Sequence, residues 1–154
     1  MAFKVPFLYG TALFPSRNHL QLYAEAHRRL LEREENLHDS LVCFQRQQES
    51  CTREYGSESV QHVEVRIKRG TTSIELDATV AERRILETLM HGPSSLAVKF
   101  SEIARIATEL DSKFADNITT QGKYHRLLHE LRSVGKHSSS SANSSSRERS
   151  RSRT

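Results

Sequence analysis

A chain of 154 residues accommodates one domain, and a hydrophobic share of 36% with a mean hydropathy of -0.62 leaves room for only a small core. The formal net charge of +4 sits at one end: from Lys136 to Thr154 five cations oppose the single anion Glu148, so residues 1–135 sum to zero. That placement excludes a uniformly basic fold despite a pI near 9.3, and describes a neutral body with a cationic appendage.

Residues 1–16 carry Phe3, Val5, Phe7, Leu8, Tyr9, Leu13 and Phe14, interrupted by Pro6 and Gly10. The apolar run is too short to span a membrane, and its interruption argues against a targeting segment. It reads as an extended apolar arm that packs on the body or on a partner.

From Arg17 to Tyr55 there is no Pro or Gly, and large residues recur at alternating spacings of three and four. This predicts a long amphipathic helix over 17–55 whose seam runs through Leu20, Tyr23, Leu30, Leu37, Leu41 and Phe44, with polar interruptions at His27, Glu34 and Gln48. A small body could hardly cover such a length, so the seam is expected to serve self-association as a coiled coil, in a homodimer or higher oligomer. Cys43 and Cys51 are eight apart on this helix, about 12 Å, which is too far for an intramolecular disulfide.

Gly56 ends the helix, and the period then changes. Val63, Val65 and Ile67 alternate with Glu64, Arg66 and Lys68; after Arg69-Gly70-Thr71-Thr72, Ile74 and Leu76 alternate with Glu75 and Asp77. Period two around a glycine turn predicts a β-hairpin over 60–78 with one apolar face.

Three further helices are expected, over 79–91, 95–114 and 119–135. Thr79 and Glu82 form a capping box for the first, and Gly92-Pro93 stops it. Phe100, Ile103, Ile106, Ala107, Leu110 and Phe114 stripe the second, and Asp116-Asn117 breaks it. The last carries Tyr124, Leu127, Leu128, Leu131 and Val134 inward and ends at Gly135. The fold class is therefore mainly α with one β-hairpin: a 17–135 interaction domain followed by a disordered Ser/Arg-rich tail over 136–154.

The order helix, Gly-Pro break, Phe100-Ser-Glu-Ile-Ala-Arg-Ile-Ala, turn, helix resembles a helix-turn-helix or winged-helix module. The resemblance implies a DNA-reading last helix, with Gln121, Lys123, His125, Arg126, His129 and Arg132 supplying contacts. Plain core packing with a solvated cationic face accounts for the same pattern. The tail has a more direct meaning, because Lys136, Arg147, Arg149, Arg151 and Arg153 offer cations to phosphate oxygens without fixed geometry. This run resembles the Arg/Ser tails of splicing-related and some viral nucleic-acid-binding proteins. The resemblance implies phosphorylation at Ser150 and Ser152 and nuclear entry, each phosphate adding about -1.5 to -2 charges.

Chemistry beyond binding is not indicated. His125 and His129 are spaced for a divalent metal but have no HExxH, CxxC or acidic companion, no glycine-rich phosphate loop exists, and no nucleophile elbow appears. The expectation is a non-enzymatic scaffold with no cofactor or metal, in the nucleus or cytoplasm. It self-associates through 17–55 and holds nucleic acid, RNA or DNA, or an acidic partner through its tail. Two alternatives stand beside it: a subunit of a hetero-oligomeric nuclear complex, its tail a localisation and phospho-switch element, and a helix-turn-helix regulator using 119–135.

Overall fold

The computed structural model describes residues 17–148, with side chains for 19–135. Three helices make up the described chain: α1 Arg17–Tyr55, α2 Val60–His91 and α3 Leu96–Glu148, about 58, 48 and 80 Å long. Each junction is punctuated by local chemistry. Gly56 takes a left-handed φ of 85° after α1 and its N–H returns to the Thr52 carbonyl at 3.2 Å, while the Ser59 hydroxyl caps α2 by accepting from the His62 N–H at 3.2 Å. At the far end of α2 the Gly92 N–H returns to the Thr88 carbonyl, and Pro93 follows.

The two connections are four residues each, which forces consecutive helices to run antiparallel. α1 and α3 each lie along α2, and among the described residues no Cα of α1 comes within 8 Å of one in α3. The helices converge where Tyr23, Ala81, Ile85, Leu86, Leu89, Ile106 and Leu110 form the buried core, with Ala26, Leu30, Met90, Ile103 and Phe114 packed around it. We call this end the head; the opposite end, around the Gly56 turn, is the foot.

The seam of α1 forms as expected, but it packs within the chain. Tyr23 is 1% exposed and Leu30, Leu37, Leu41 and Phe44 are half-buried on the side that meets α2, while Leu20 remains exposed. The three polar interruptions meet polar partners on α2. His27 Nε2 lies 2.9 Å from Glu87, the Arg83 Nε donates to Glu34 at 2.6 Å, and Arg69 donates to Gln48 at 3.0 Å.

The β-hairpin over 60–78 is replaced by the first half of α2, and the described chain contains no strand. In a helix, residues two apart point about 200° from each other, so a helix sandwiched between two neighbours also shows near-alternating apolar positions. Val63 and Val65 are both buried, and Ile67 and Ile74 are half-buried, because α2 has a contact side for each neighbour. What remains for water is a minority of positions, Gln61, Lys68, Arg69, Thr71, Glu75 and the terminal His91. Gly70 is no turn residue. A Cβ there would come within 2.0 Å of Gln121 Nε2, so glycine leaves the space that the Gln121 amide fills.

The helices expected over 79–91, 95–114 and 119–135 are likewise parts of longer ones. Thr79 is 2% exposed inside α2 and its hydroxyl donates to the Glu75 carbonyl at 2.7 Å, so no capping box forms. Asp116-Asn117 does not break α3. The Asn117 amide donates across to the Gly70 carbonyl at 3.1 Å, and the Thr119 and Thr120 hydroxyls donate back to Ala115 and Asp116, so the donors of these three residues find acceptors along a continuous helix. The turn that a helix-turn-helix module requires is therefore missing. α3 also continues through Gly135 to Glu148, in place of a disordered tail beginning at 136. Extending a helix already formed avoids the costly nucleation step, and serine lowers propensity only modestly.

The pairing across the α1–α2 seam sets a test. Glu34 and Arg83 side chains are only 18% and 22% exposed, and the hydrogen bond from Arg83 to Glu34 raises the guanidinium above its ordinary value against the opposing effect of burial. Glu34→Gln is expected to lower unfolding stability by about 1–2 kcal/mol in urea titration. Arg28→Gln, which removes the exposed Arg28–Glu32 pair, changes it by less than about 0.5 kcal/mol.

Candidate polyanion interface

Charge is distributed unevenly along the bundle. Residues 19–45 and 71–116, the head half, hold eight Lys or Arg against thirteen Asp or Glu, a net of -5; residues 46–70 and 117–135, the foot half, hold eight against five, a net of +3. Ion pairing divides the same way. Among the described residues the cross-helix and intrahelical pairs involve head residues such as Arg83, Arg84, Arg105 and Lys113, while the foot has the single pair Arg132–Glu64 at 2.6 Å. Arg46, Arg53, Arg66, Lys68, Arg69, Lys123 and Arg126 have no carboxylate within 4 Å among these pairs.

The foot cations flank a groove of about 270 Å³ floored by α2. It is lined by Gln48 from α1, by Arg66, Arg69, Gly70 and Ser73 from α2, and by Asn117, Thr120 and Tyr124 from α3. Arg66, Arg69 and Ser73 follow helical spacing, which turns them to one side of α2. The Arg66 guanidinium stands 5.4 Å from the centroid of the Tyr124 ring, a cation–π contact that leaves it no carboxylate partner. Arg69 is steadied by Gln48. Asn117 and Gln121 hold α3 against α2 through the Gly70 and Ile67 carbonyls, at 3.1 and 2.9 Å, and their own Oδ1 and Oε1 atoms are buried without a protein donor.

One turn before Arg66, His62 is 1% exposed and its Nδ1 has no hydrogen-bond partner. Burial, reinforced by the Arg66 charge, pushes its pKa below the ordinary histidine value and keeps the ring neutral.

The residues expected from the sequence to contact nucleic acid are spread by this geometry. Lys123 lies one turn beyond Thr120, beside the groove. Arg126 is exposed two positions past Tyr124, turned away from it, and Arg132 is engaged with Glu64. Gln121 is spent on the Ile67 carbonyl, while His125 and His129 are exposed around a separate hollow with Leu128 and Ser133. The side chains of Lys136 and Arg147 and the whole of Arg149, Ser150, Arg151, Ser152 and Arg153 lie outside the described residues, as does the arm over 1–16. Arg66, Arg69 and Tyr124 were not expected together.

Among the described residues no group of three His, Cys, Asp or Glu side chains is placed to hold a metal ion, and no helix is long and apolar enough to cross a membrane. Cys43 and Cys51 are both free on α1. Compared with known proteins, the chain matches no family model, no curated protein and no solved structure.

The buried neutral His62 gives a pH dependence of known sign. Its folded pKa is below its unfolded one, so the stability it contributes is complete above about pH 6.5 and falls as pH drops toward the folded pKa. The thermal unfolding midpoint is expected to fall between pH 7.5 and pH 5.5, and His62→Phe to flatten that decline; an equal decline in the variant would assign it to other groups.

Proposed function

We propose that this chain is a non-enzymatic helical interaction protein that holds a polyanion through its cationic foot together with the basic run that follows. One observation carries the reading: carboxylates pair with every arginine of the head except Arg33, whereas the foot leaves Arg66, Lys68, Arg69, Lys123 and Arg126 without acidic partners. The same side of the molecule leads into α3 beyond Arg132, and sixteen residues further on, about 24 Å of helix, lies Glu148 amid Arg147, Arg149, Arg151 and Arg153. Nucleic acid or an acidic protein satisfies such a surface. Phosphate on Ser150 and Ser152 would cancel most of the terminal excess and act as a release switch in nucleus or cytoplasm. The test is polynucleotide binding at several salt concentrations by the intact chain and by a variant with Arg147, Arg149, Arg151 and Arg153 changed to Gln. The variant should bind at least tenfold more weakly, with the salt slope reduced by about 3; unchanged affinity and slope would remove the basic run from the interface.

Assembly with other chains is a second reading, favoured by exposed large apolar side chains. Phe100 is 56% and Ile118 is 67% exposed on one flank of α3, beyond the reach of α2. Such a flank suits another subunit or a second copy, although the α1 seam itself is occupied by α2. Mass-resolved oligomeric state decides it: the intact chain should exceed its 17.6 kDa monomer mass, and Phe100→Ser with Ile118→Ser should return it to the monomer. A monomer at every concentration would leave only a hetero-oligomeric role.

A further inference from the structure

We propose that the polyanion is single-stranded nucleic acid, one nucleotide of which seats in the foot groove between Arg66 and Tyr124 on one side and Arg69 on the other. This rests on the polyanion reading above and narrows it. Three features of the groove select a single strand. First, it is an open groove between α1 and α3 along α2. Its volume of about 270 Å³ is close to the lower bound of small-ligand sites, roughly 300 Å³, so it admits one flat ring with its phosphate. A duplex keeps its bases stacked inside and offers only a convex row of phosphates, which touches the rim of such a groove without filling it. Second, the groove combines charge with a planar surface. Arg66 is half-buried over the Tyr124 ring, which orients the guanidinium, and an arginine plane is a surface on which an unstacked base packs with little regard to sequence. Third, the remaining lining is neutral and polar. The Gln48 amide nitrogen and the Ser73 hydroxyl line the groove as groups for base edges and sugar hydroxyls, and the Thr120 oxygen, whose proton goes to Asp116, remains an acceptor, while Arg69 stands at the edge where a phosphate would arrive. An acidic polypeptide satisfies the arginines and can pair with the amides, but a run of Asp or Glu has no flat ring to stack on the Arg66 plane.

The site also explains why the cations of the foot are not neutralised from within. A carboxylate opposite Arg66 would close the groove, as Glu34 does around Arg83.

The experiment uses the full chain and fluorescence anisotropy with an oligouridylate, the same sequence as DNA, a blunt duplex of equal length, and polyglutamate. Four proteins are compared: wild type, Arg66→Gln with Arg69→Gln, Thr120→Glu, and the variant with the four terminal arginines changed to Gln. Thr120 is exposed, so Thr120→Glu sets a negative charge at the groove mouth without disturbing the core, and its helical circular dichroism should match wild type. The expected result is a wild-type preference for single strand over duplex of about tenfold or more, equivalent to one stacked base. Both groove variants should abolish that preference, weakening single-strand binding more than duplex binding, and the terminal variant should weaken binding of both forms while keeping the preference. A wild type that binds both forms equally, a preference that survives both groove variants, or tighter binding of polyglutamate overturns the groove assignment and leaves polyanion binding in place. Absence of binding to every probe overturns both.

Discussion

The structure depends on α2 having two contact sides. Its neighbours α1 and α3 do not approach each other's backbone along the bundle, so neither can bury its apolar stripe except on α2. A helix in that position must carry apolar residues around most of its circumference, leaving water few positions, chiefly Gln61, Lys68, Arg69, Thr71 and Glu75. Most of the fully buried apolar residues fall on it, including Val63, Ile85, Leu86 and Leu89. The outer helices are by contrast amphipathic in the ordinary way, and their large exposed residues, Leu31 and Val42 on α1 or Phe100 and Ile118 on α3, point to the unpartnered side.

Apolar stripes this regular would tolerate sliding by a turn, and polar pairs remove that freedom. On one side of α2, His27–Glu87, Glu34–Arg83 and Gln48–Arg69 match seam positions one to one, each interruption in the apolar pattern of α1 opposite its complement. On the other side Asn117 and Gln121 reach the carbonyls of Gly70 and Ile67, the Gln121 amide filling space that the missing Cβ of Gly70 leaves. Partly buried polar pairs add little net stability, since desolvation offsets most of the attraction, but a one-turn slip would leave each of them without a partner. Their effect is therefore on register. His27 also illustrates coupling across the seam, since its hydrogen bond, ahead of Arg83, holds the Glu87 carboxyl below its ordinary value.

Much of this was legible in the sequence. The extent of α1, the Gly56 and Gly92-Pro93 stops, and the burial of Ile85, Leu86, Leu89, Ile106 and Leu110 all follow from periodicity and turn chemistry. The hairpin was misread because alternation over Val63, Val65 and Ile67 has two physical causes, one exposed sheet face or two opposed helix contacts, and only the positions of α1 and α3 distinguish them. That misreading also hid the groove. As a strand and turn, Arg66, Lys68 and Arg69 are solvated charges at a hairpin end; as a helix, Arg66, Arg69 and Ser73 share a side, a signal present in their spacing of three and four. Thr119, Thr120 and Asn117 misled for a related reason: the side-chain groups that break helices when they bond locally are bound here to the preceding turn or to α2.

Arg66 and Arg83 lie seventeen residues apart on one helix, and their surroundings give the same side chain opposite uses. Arg83 donates to Glu34 and Glu87, which consume its donors, fix its position and cancel its field. Arg66 meets only the face of Tyr124, which orients the guanidinium without neutralising it, and its charge acts at a distance on His62 by disfavouring protonation there. An arginine that lies over an aromatic ring and is not closed by a carboxylate keeps its donors for an external acceptor, and mutual repulsion with Lys68 and Arg69 raises what that acceptor gains by binding. Which arginine is structural and which is available is thus decided by the residue type opposite it, a carboxylate from α1 at the head and a phenol from α3 at the foot.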